Sequence, residues 1–426
     1  MAIQSLTRKQ IRQSIGYNLL DMVLVTASTT GDTSSIIATY SLAKGGDDEY
    51  NGRQVYASDM TGSIVAGEKT WVSDFNSTNK DATVSPVFSA SSTALDVFEL
   101  WKVFTVEEIN DAITQAEMEV SSRALQSKII TTPFTETDKY LYDVLDDFTH
   151  LSKVEYVCSK GIYHLLDNCD AVWTAGSANV TVTADSSFEK VGTACVKAVE
   201  GGGSGAGAIL AYKAITSVDL SGCDKVEFWM YSSIALTAGQ LEIHLDDTAA
   251  IASGIEKIDI PAMDAATWYK HSLSLASPHL DTAIISIGIY QVSDVGAFTF
   301  YVDDVSTCMS TSKQYKLLSN EYWNIAKGST PYLQLTSGGL SEVGTNTQMK
   351  LTGYQLLTPM SADSSESQVD PGYLVNKVTG ELLLNHAKSS YLDINDRAAL
   401  SDRRLAKARA DLPSISTQMD SEAKII

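Results

Sequence analysis

The chain predicts an α+β fold: a helical bundle built from N-terminal, central and C-terminal helices, with a small β-barrel domain and a β-sandwich inserted into it. Three observations predict this. Apolar residues recur at helical spacing, at Ile11, Ile15, Leu19 and Met22 and again at Ile109, Ile113, Ala116 and Val120. Residues 26–102 switch to short β-runs parted by clusters of Gly, Asn and Asp. From 173 to 305 the apolar residues alternate, as in Val226, Phe228 and Met230 against Glu227, Trp229 and Tyr231. A chain of 426 residues exceeds one domain of ~100–150 residues, so two or three cores are expected.

Residues 7–25 carry the first helix. Arg8, Lys9 and Arg12 stand at its start, where positive charge opposes the helix dipole. They predict a solvated face or an acidic neighbour. Residues 26–102 hold β-runs at 36–40, 53–56, 69–72, 82–85 and 97–101, the pattern of a small barrel or sandwich. Thr105-Val-Glu-Glu108 is a capping box that opens the central helix. Pro133 breaks the helical pattern, and 138–151 predicts a further short helix. Residues 1–25 and 103–153 thus form a helical frame.

Strands at 154–157 and 161–165 have natural partners far away, at 315–318, 322–325, 331–335 and 348–357. Residues 154–166 and 309–360 therefore read as frame strands, and 167–308 as an insertion. Within it, Leu241, Ile243 and Leu245, then Ile285, Ile287 and Ile289, then Phe298, Phe300 and Val302 repeat the alternation. Residues 361–426 supply C-terminal helices and a tail. Asp370-Pro371 is an N-cap and first-turn pair, opening a helix through Leu374, Val378, Leu382 and Ala387. A last helix over 393–411 ends at Pro413.

Charge and cysteine use exclude several classes. The net charge is −21, from 31 basic and 52 acidic residues. Tight phosphate-driven binding of nucleic acid needs clustered Lys and Arg, so it is not expected. The insertion carries eighteen acidic residues against six basic, more than half of that charge. Five cysteines without a C-x-x-C pair predict reduced thiols made in a cytosol. The first residues lack an apolar signal core, and no run of ~18 apolar residues predicts a membrane span.

No constellation predicts catalysis. The histidines at 150, 164, 244, 271, 279 and 386 fall on different elements, away from ligand spacing. Glu200-Gly-Gly-Gly-Ser-Gly-Ala-Gly207 lacks the Gly-Lys-Ser/Thr of a phosphate loop and reads as a hairpin loop. Asp303 and Asp304, with Asp246, Asp247 and Asp185, offer oxygens of the kind Ca²⁺ takes, or are acidic turn residues. Trp229 and Tyr231, with Trp268 and Tyr290, offer either an aromatic platform for sugar rings or core packing. Trp268 alternates with Leu273 in the manner of a core tryptophan. Arg397, Arg403, Arg404 and Arg409 spread around the last helix and offer contact with an acidic partner, or a solvated surface.

Two resemblances rest on these residues. Trp173, Ser187-Phe-Glu-Lys-Val-Gly192, Ala194-Cys-Val-Lys197, Lys225-Val-Glu-Phe-Trp-Met230, Asp246-Asp247, Trp268-Tyr-Lys-His-Ser-Leu273 and Tyr301-Val-Asp-Asp-Val305 resemble non-catalytic carbohydrate-binding-module jelly rolls. That resemblance implies a two-sheet sandwich, often with a structural calcium near the final Asp, here Asp303 or Asp304. Most of residues 6–165 and 313–410 resembles neck and connector proteins of tailed bacteriophages. It does so through Leu6-Thr-Arg-Lys-Gln-Ile-Arg12, Asp48-Glu-Tyr-Asn-Gly-Arg-Gln-Val55, Ala66-Gly-Glu-Lys-Thr-Trp-Val-Ser-Asp-Phe75, Val84-Ser-Pro-Val-Phe88, Asp96-Val-Phe-Glu-Leu-Trp101, Phe104-Thr-Val-Glu-Glu-Ile-Asn-Asp-Ala-Ile113, Trp323-Asn-Ile-Ala326 and Met349-Lys-Leu-Thr-Gly-Tyr-Gln355.

The second resemblance implies a structural virion protein, made in the host cytoplasm and placed at the neck or tail. It would be a head-to-tail adaptor, a self-associating ring of about twelve-fold symmetry docked on the portal protein and touching other neck proteins. Genomic DNA would pass nearby without specific binding, and no cofactor or membrane would be involved. The other expectation is a receptor-binding, fibre or capsid decoration protein whose jelly roll binds glycans.

Overall fold

The computed structural model describes residues 5–145, 148–385, 394–418 and 423–426. His386, Ala387 and Asp393 lie outside the described residues. The chain divides into two units: Met1–Ser127 with Tyr354–Ser421, and Lys128–Gly353 with Glu422–Ile426.

The first unit begins with α1 (Arg8–Leu19), closed at its start by a Thr7–Gln10 capping box. Leu20, at φ +55°, ends the helix six residues early, and the β-branched run that follows forms β1 (Met22–Thr26). Then come β2 (Ser35–Ile37), β3 (Gln54–Asp59), β4 (Lys69–Asn76), β5 (Asp81–Ser85) and β6 (Val97–Trp101). They pair antiparallel in the order β1-β6-β3-β4-β5-β2 around Val25, Ile36, Val55, Phe75, Phe98 and Leu100. The capping box at Thr105 and Glu108 opens α2 (Val106–Ser121), whose Ile109, Ile113, Ala116 and Val120 are buried.

The chain then runs through β7 (Gln126–Ile130), β8 (Leu141–Tyr142), β9 (His150–Ser159) and β10 (Tyr163–Asp167). The short helix expected over 138–151 is not present among the described residues. Asp138 takes φ +55°, and the following Tyr-Leu-Tyr enters an extended pairing. Next come β11 (Thr174–Ala175), β12 (Val180–Asp185), β13 (Cys195–Glu200), β14 (Ala208–Val218) and β15 (Lys225–Ser232). They are followed by β16 (Leu241–Asp246), β17 (Glu256–Asp259), β18 (Thr267–Ser274), β19 (Ile284–Gln291) and β20 (Phe298–Cys308).

These strands form a two-sheet jelly-roll sandwich. One sheet runs β12-β13-β20-β15-β18, with β10 also beside β20; the other runs β11-β14-β19-β16-β17. Their facing sides bury Val226, Phe228, Met230, Leu241, Ile243, Ile287, Ile289, Phe300 and Val302 in one core. The Gly-rich stretch after β13 is a hairpin loop held by Glu200, whose carboxylate accepts N–H bonds from Gly202, Gly203 and Ser204.

The second unit is completed by β21 (Gln314–Leu317), β22 (Trp323–Ala326), β23 (Tyr332–Leu335), α3 (Ser337–Val343) and β24 (Met349–Gln355). One small sheet has the order β21-β9-β24-β7, and a second has β22-β23-β8. Trp323, Leu333, Leu335, Met349 and Leu351 fill the core between them.

The chain returns to the first unit with α4 (Pro371–Asn385) and α5 (Ile394–Ile415). Pro413 sits inside α5 and does not end it. The two helices cross closely at Gly380, where a Cβ would stand 2.8 Å from the Leu405 side chain. The Ser401 hydroxyl donates to the Gly380 carbonyl at 2.6 Å. A final strand, β25 (Lys424–Ile425), pairs with β9.

The expected α+β fold organised around a helical bundle is therefore wrong. Among the described residues there are 25 strands against five α-helices, and the architecture is predominantly antiparallel β. The helices of the first unit share a core with Tyr56 and Trp101 of its sheet and cover that sheet. The basic cluster at the chain's start is not a solvated face either. Arg12 is fully buried, with its guanidinium paired to both oxygens of Glu99 and both oxygens of Asp363. No helix among the described residues is long and apolar enough to cross a membrane.

Candidate functional site

The period of two that sends Val226, Phe228 and Met230 into the sandwich core sends Glu227, Trp229 and Tyr231 to the opposite face. Strand register then sets which side chains meet there. Tyr231 lies opposite Trp268 of β18 and opposite Tyr301 of β20, so three rings form a row across adjacent strands. Phe188, from the loop between β12 and β13, completes the cluster. Its ring centroid lies 4.9 Å from Tyr231, 5.6 Å from Trp268 and 4.8 Å from Tyr301. Tyr231 meets Tyr301 edge-on at 5.5 Å and Trp268 at 5.8 Å.

None of these four residues belongs to the sandwich core, and Phe188 is 37% exposed. Polar groups flank them. Lys197 stands 5.5 Å from the centre of the Tyr301 ring and 3.5 Å from Asp185. Aromatic rings with open edges beside hydrogen-bonding groups suit a ligand with apolar C–H faces and many hydroxyls.

Trp229 shares this face but not this role. It is 5% exposed, and its indole N–H donates to Asn346 at 3.1 Å. The ammonium groups of Lys190 and Lys270 lie 5.3 and 5.7 Å from its ring centre. Of the expected platform, Tyr231 and Trp268 come together, Trp229 is covered, and Tyr290 lies on the other sheet, stacked on His244 at 4.5 Å. Trp268 is on the outer face; its neighbour Tyr269 packs against the core. Phe188 and Tyr301 fall in stretches quoted for the carbohydrate-binding-module resemblance, but neither was named as a platform residue. The alternation Phe300, Tyr301, Val302 carries the signal for Tyr301, whereas a loop residue such as Phe188 has none.

Asp303 and Asp304 serve separate partners. A bulge in the β15–β20 pairing, with Asp304 at φ +49°, separates their surroundings. Asp303 Oδ2 accepts from the backbone N–H groups of Lys190 and Val191 at 2.8 and 2.9 Å. Its buried Oδ1 has no hydrogen-bond partner. Burial outweighs those two bonds and pushes the carboxyl up to about 6. Asp304 Oδ2 takes Lys270 Nζ at 2.9 Å and Asn346 Nδ2 at 2.8 Å. Burial alone would raise this carboxyl, but Lys270 and Asn346 outweigh it and hold it below its ordinary range.

A Ca²⁺ ion does not fit these residues, because Lys270 already neutralises Asp304. Asp246 is engaged elsewhere, by Thr248 and Ser253, and Asp185 by Ser187. Among the described residues no group of three or more His, Cys, Asp or Glu side chains is placed to hold a metal ion.

The arginines of α5 divide. Arg397 is buried, and Arg404 donates to Asn376 and Asn18 at 3.0 and 3.1 Å. Arg403 and Arg409 are exposed.

No family model matches the chain, and no curated protein matches it. Among solved structures, the chain is similar to the family 11 carbohydrate-binding module of a cellulosomal cellulase of Clostridium thermocellum. The identity is 13%, over 36% of this chain and 97% of that one, with a TM-score of 0.28. It is also similar to an N-terminal endo-1,4-beta-D-xylanase 10B of Clostridium thermocellum, at 17% identity over 35% of this chain and 29% of that one, with a TM-score of 0.24. A family 29 carbohydrate-binding module matches at 10% identity, over 34% of this chain and 89% of that one, with a TM-score of 0.21.

Proposed function

We propose that this chain is a non-catalytic saccharide-binding protein. Its jelly-roll sandwich seats a glycan on the outer face of one sheet, against Tyr231, Trp268, Tyr301 and Phe188. The observation that carries this reading is the position of the four rings. They cluster outside the hydrophobic core, three on adjacent strands and Phe188 on the loop beside them, half-buried or exposed, with Lys197 and Asp185 at their side. Sugar C–H faces pack on such rings, and the flanking charges hydrogen-bond hydroxyls.

Affinity electrophoresis through gels holding soluble β-glucans, xylan, mannan or acidic polysaccharides tests it. The intact chain is retarded by at least one polysaccharide, and Trp268→Ala or Tyr231→Ala lowers the affinity about tenfold or more, as truncating a central aromatic contact does. Migration unaffected by every polysaccharide, or retardation that both variants keep in full, would overturn the reading.

A second reading concerns the first unit: a structural adaptor that docks on an acidic surface of a phage portal ring. It is favoured by one observation, that Arg403 and Arg409 of α5 remain exposed while Arg12, Arg397 and Arg404 are engaged within the fold.

A further inference from the structure

A cavity of about 180 Å³ in the same unit lies where the sandwich meets the small sheet β21-β9-β24. It is smaller than the ~300–1,000 Å³ of pockets for larger organic ligands, and it has room for one sugar ring. Phe134 and Tyr163 give it aromatic walls, and Ser306, Asn346, Thr347 and Gln348 give it neutral polar groups. Two ion pairs stand in it: Lys270 with Asp304 at 2.9 Å, and Lys313 with Glu227 at 2.7 Å, all with nearly buried side chains.

These groups keep unused hydrogen-bonding capacity. Among the described residues, the Lys270 ammonium makes one hydrogen bond with its three N–H groups, and Asp304 Oδ1 accepts none. A ligand that both donates and accepts suits them. A bare phosphate would meet the two carboxylates at close range.

The third cation decides the ligand's charge. Lys160 is exposed at the cavity, its ammonium 3.9 Å from the centre of the Tyr163 ring; its charge acts on Asp304, but among the described residues it makes no close ion pair. The lining thus holds three ammonium groups against two carboxylates, a local positive excess in a chain of net charge −21.

We propose that this cavity is a separate subsite for one carboxylate-bearing pyranose, a uronic acid residue. Its carboxylate lies against Lys160, its hydroxyls on Lys270, Asp304 and Gln348, and its ring against Tyr163. The proposal rests on the saccharide reading of this unit, but not on the aromatic face. It makes the natural ligand an acidic glycan.

Calorimetric titration of the full chain with free glucuronate and with glucose tests it, using the wild type, Lys160→Ala and Trp268→Ala. Glucuronate binds wild type and Trp268→Ala alike. It binds Lys160→Ala about tenfold or more weakly, the loss of one charged hydrogen bond, and glucose binds wild type at least about tenfold more weakly than glucuronate does. Lys160 is exposed, so its replacement leaves the fold intact, which the variant's melting temperature checks.

No saturable glucuronate binding, equal binding of glucose, or full affinity in Lys160→Ala would overturn the proposal. Glucuronate binding lost in Trp268→Ala would overturn it too, by moving the site to the aromatic face and leaving the face reading intact. If glucuronate binds as expected while no polysaccharide retards the chain in gels, the cavity stands and the aromatic face falls.

Discussion

Replacing Arg12 with Met removes the cation at the centre of the first unit. The guanidinium donates to Glu99 at 2.9 and 3.0 Å, to Asp363 at 2.6 and 2.8 Å and to Asn110 at 3.2 Å. It also stands 4.7 Å from the centre of the Tyr56 ring. Glu99 is fully buried and would keep only neutral donors, from Gln13, Trp101 and Ser58.

Removing one partner of a buried pair costs about 3–5 kcal/mol, because the remaining charge stays out of water. Asp363 is partly exposed and keeps the Tyr56 hydroxyl at 2.7 Å, so the upper end of that range is not reached. Chemical denaturation followed by tryptophan fluorescence reads the change. Trp101 reports on the first unit because its indole donates to Glu99.

Two features separate this account from a simple packing loss. A buried carboxylate without its cation relieves the cost by taking up a proton, so the deficit shrinks from pH 7 to pH 5. Neutralising both acids in Arg12→Met/Glu99→Gln/Asp363→Asn recovers most of the loss, since an apolar or neutral replacement of a buried ion network is often close to neutral. An Arg12→Met deficit under about 1 kcal/mol, or a triple variant no better than the single one, would refute the reasoning.

Asp303→Asn tests the raised carboxyl in the second unit. A folded value of about 6 against an ordinary ~3.9 means that the folded state holds the proton more tightly. Its stabilisation is present below pH ~4 and is lost as pH rises through 6, so the wild type loses on the order of 2–3 kcal/mol across that window from this group. Asn cannot ionise, so the variant's stability between pH 4 and 7 stays flatter; a parallel pH profile would contradict the assignment. Neighbouring residues on β20 test the division between core and face. Phe300→Ala costs about 3–5 kcal/mol of stability. Tyr301→Ala costs about 1 kcal/mol or less but lowers polysaccharide affinity; equal thermal shifts for the two would contradict the assignment of faces. Under the adaptor reading, Arg403→Glu/Arg409→Glu abolishes co-sedimentation with portal rings and leaves the melting temperature unchanged. Co-sedimentation that survives would remove that reading.

The sandwich was the most legible part of the sequence, because a strand with one buried face writes its period directly into Val226, Phe228, Met230 and their counterparts. The capping box at Thr105 was equally local, and the structure keeps it. What the sequence could not show is which outward-facing residues a second layer covers. Trp229 and Tyr231 are equivalent by alternation, yet the β23–β24 connection brings Asn346 onto one and leaves the other open. Trp268 was read toward the core with Leu273, but the two stand five residues apart, an odd spacing that puts them on opposite faces of β18, Leu273 with Val226 and Trp268 with Tyr231. Arg12 looked like a solvated charge because its partners, Glu99 and Asp363, lie 87 and 351 residues away. The helix expected over 138–151 failed because that stretch has helix-compatible composition, while partners distant in sequence draw its two ends into strands: β23 pairs with β8, and His150 and Leu151 in β9 pair with β25.

The aromatic face can be watched directly through tryptophan. The chain has six: Trp71, Trp101, Trp173, Trp229, Trp268 and Trp323. Trp101, Trp173, Trp229 and Trp323 are buried, Trp71 is exposed in the first unit, and Trp268 lies in the ring cluster. Fluorine NMR of the 5-fluorotryptophan-labelled chain, with Trp268→Phe assigning its signal, is titrated with the polysaccharide that retards the chain in gels. The account predicts that the Trp268 resonance moves saturably while those of Trp71, Trp101, Trp173 and Trp323 hold still. Saturable binding that leaves Trp268 unmoved would contradict it.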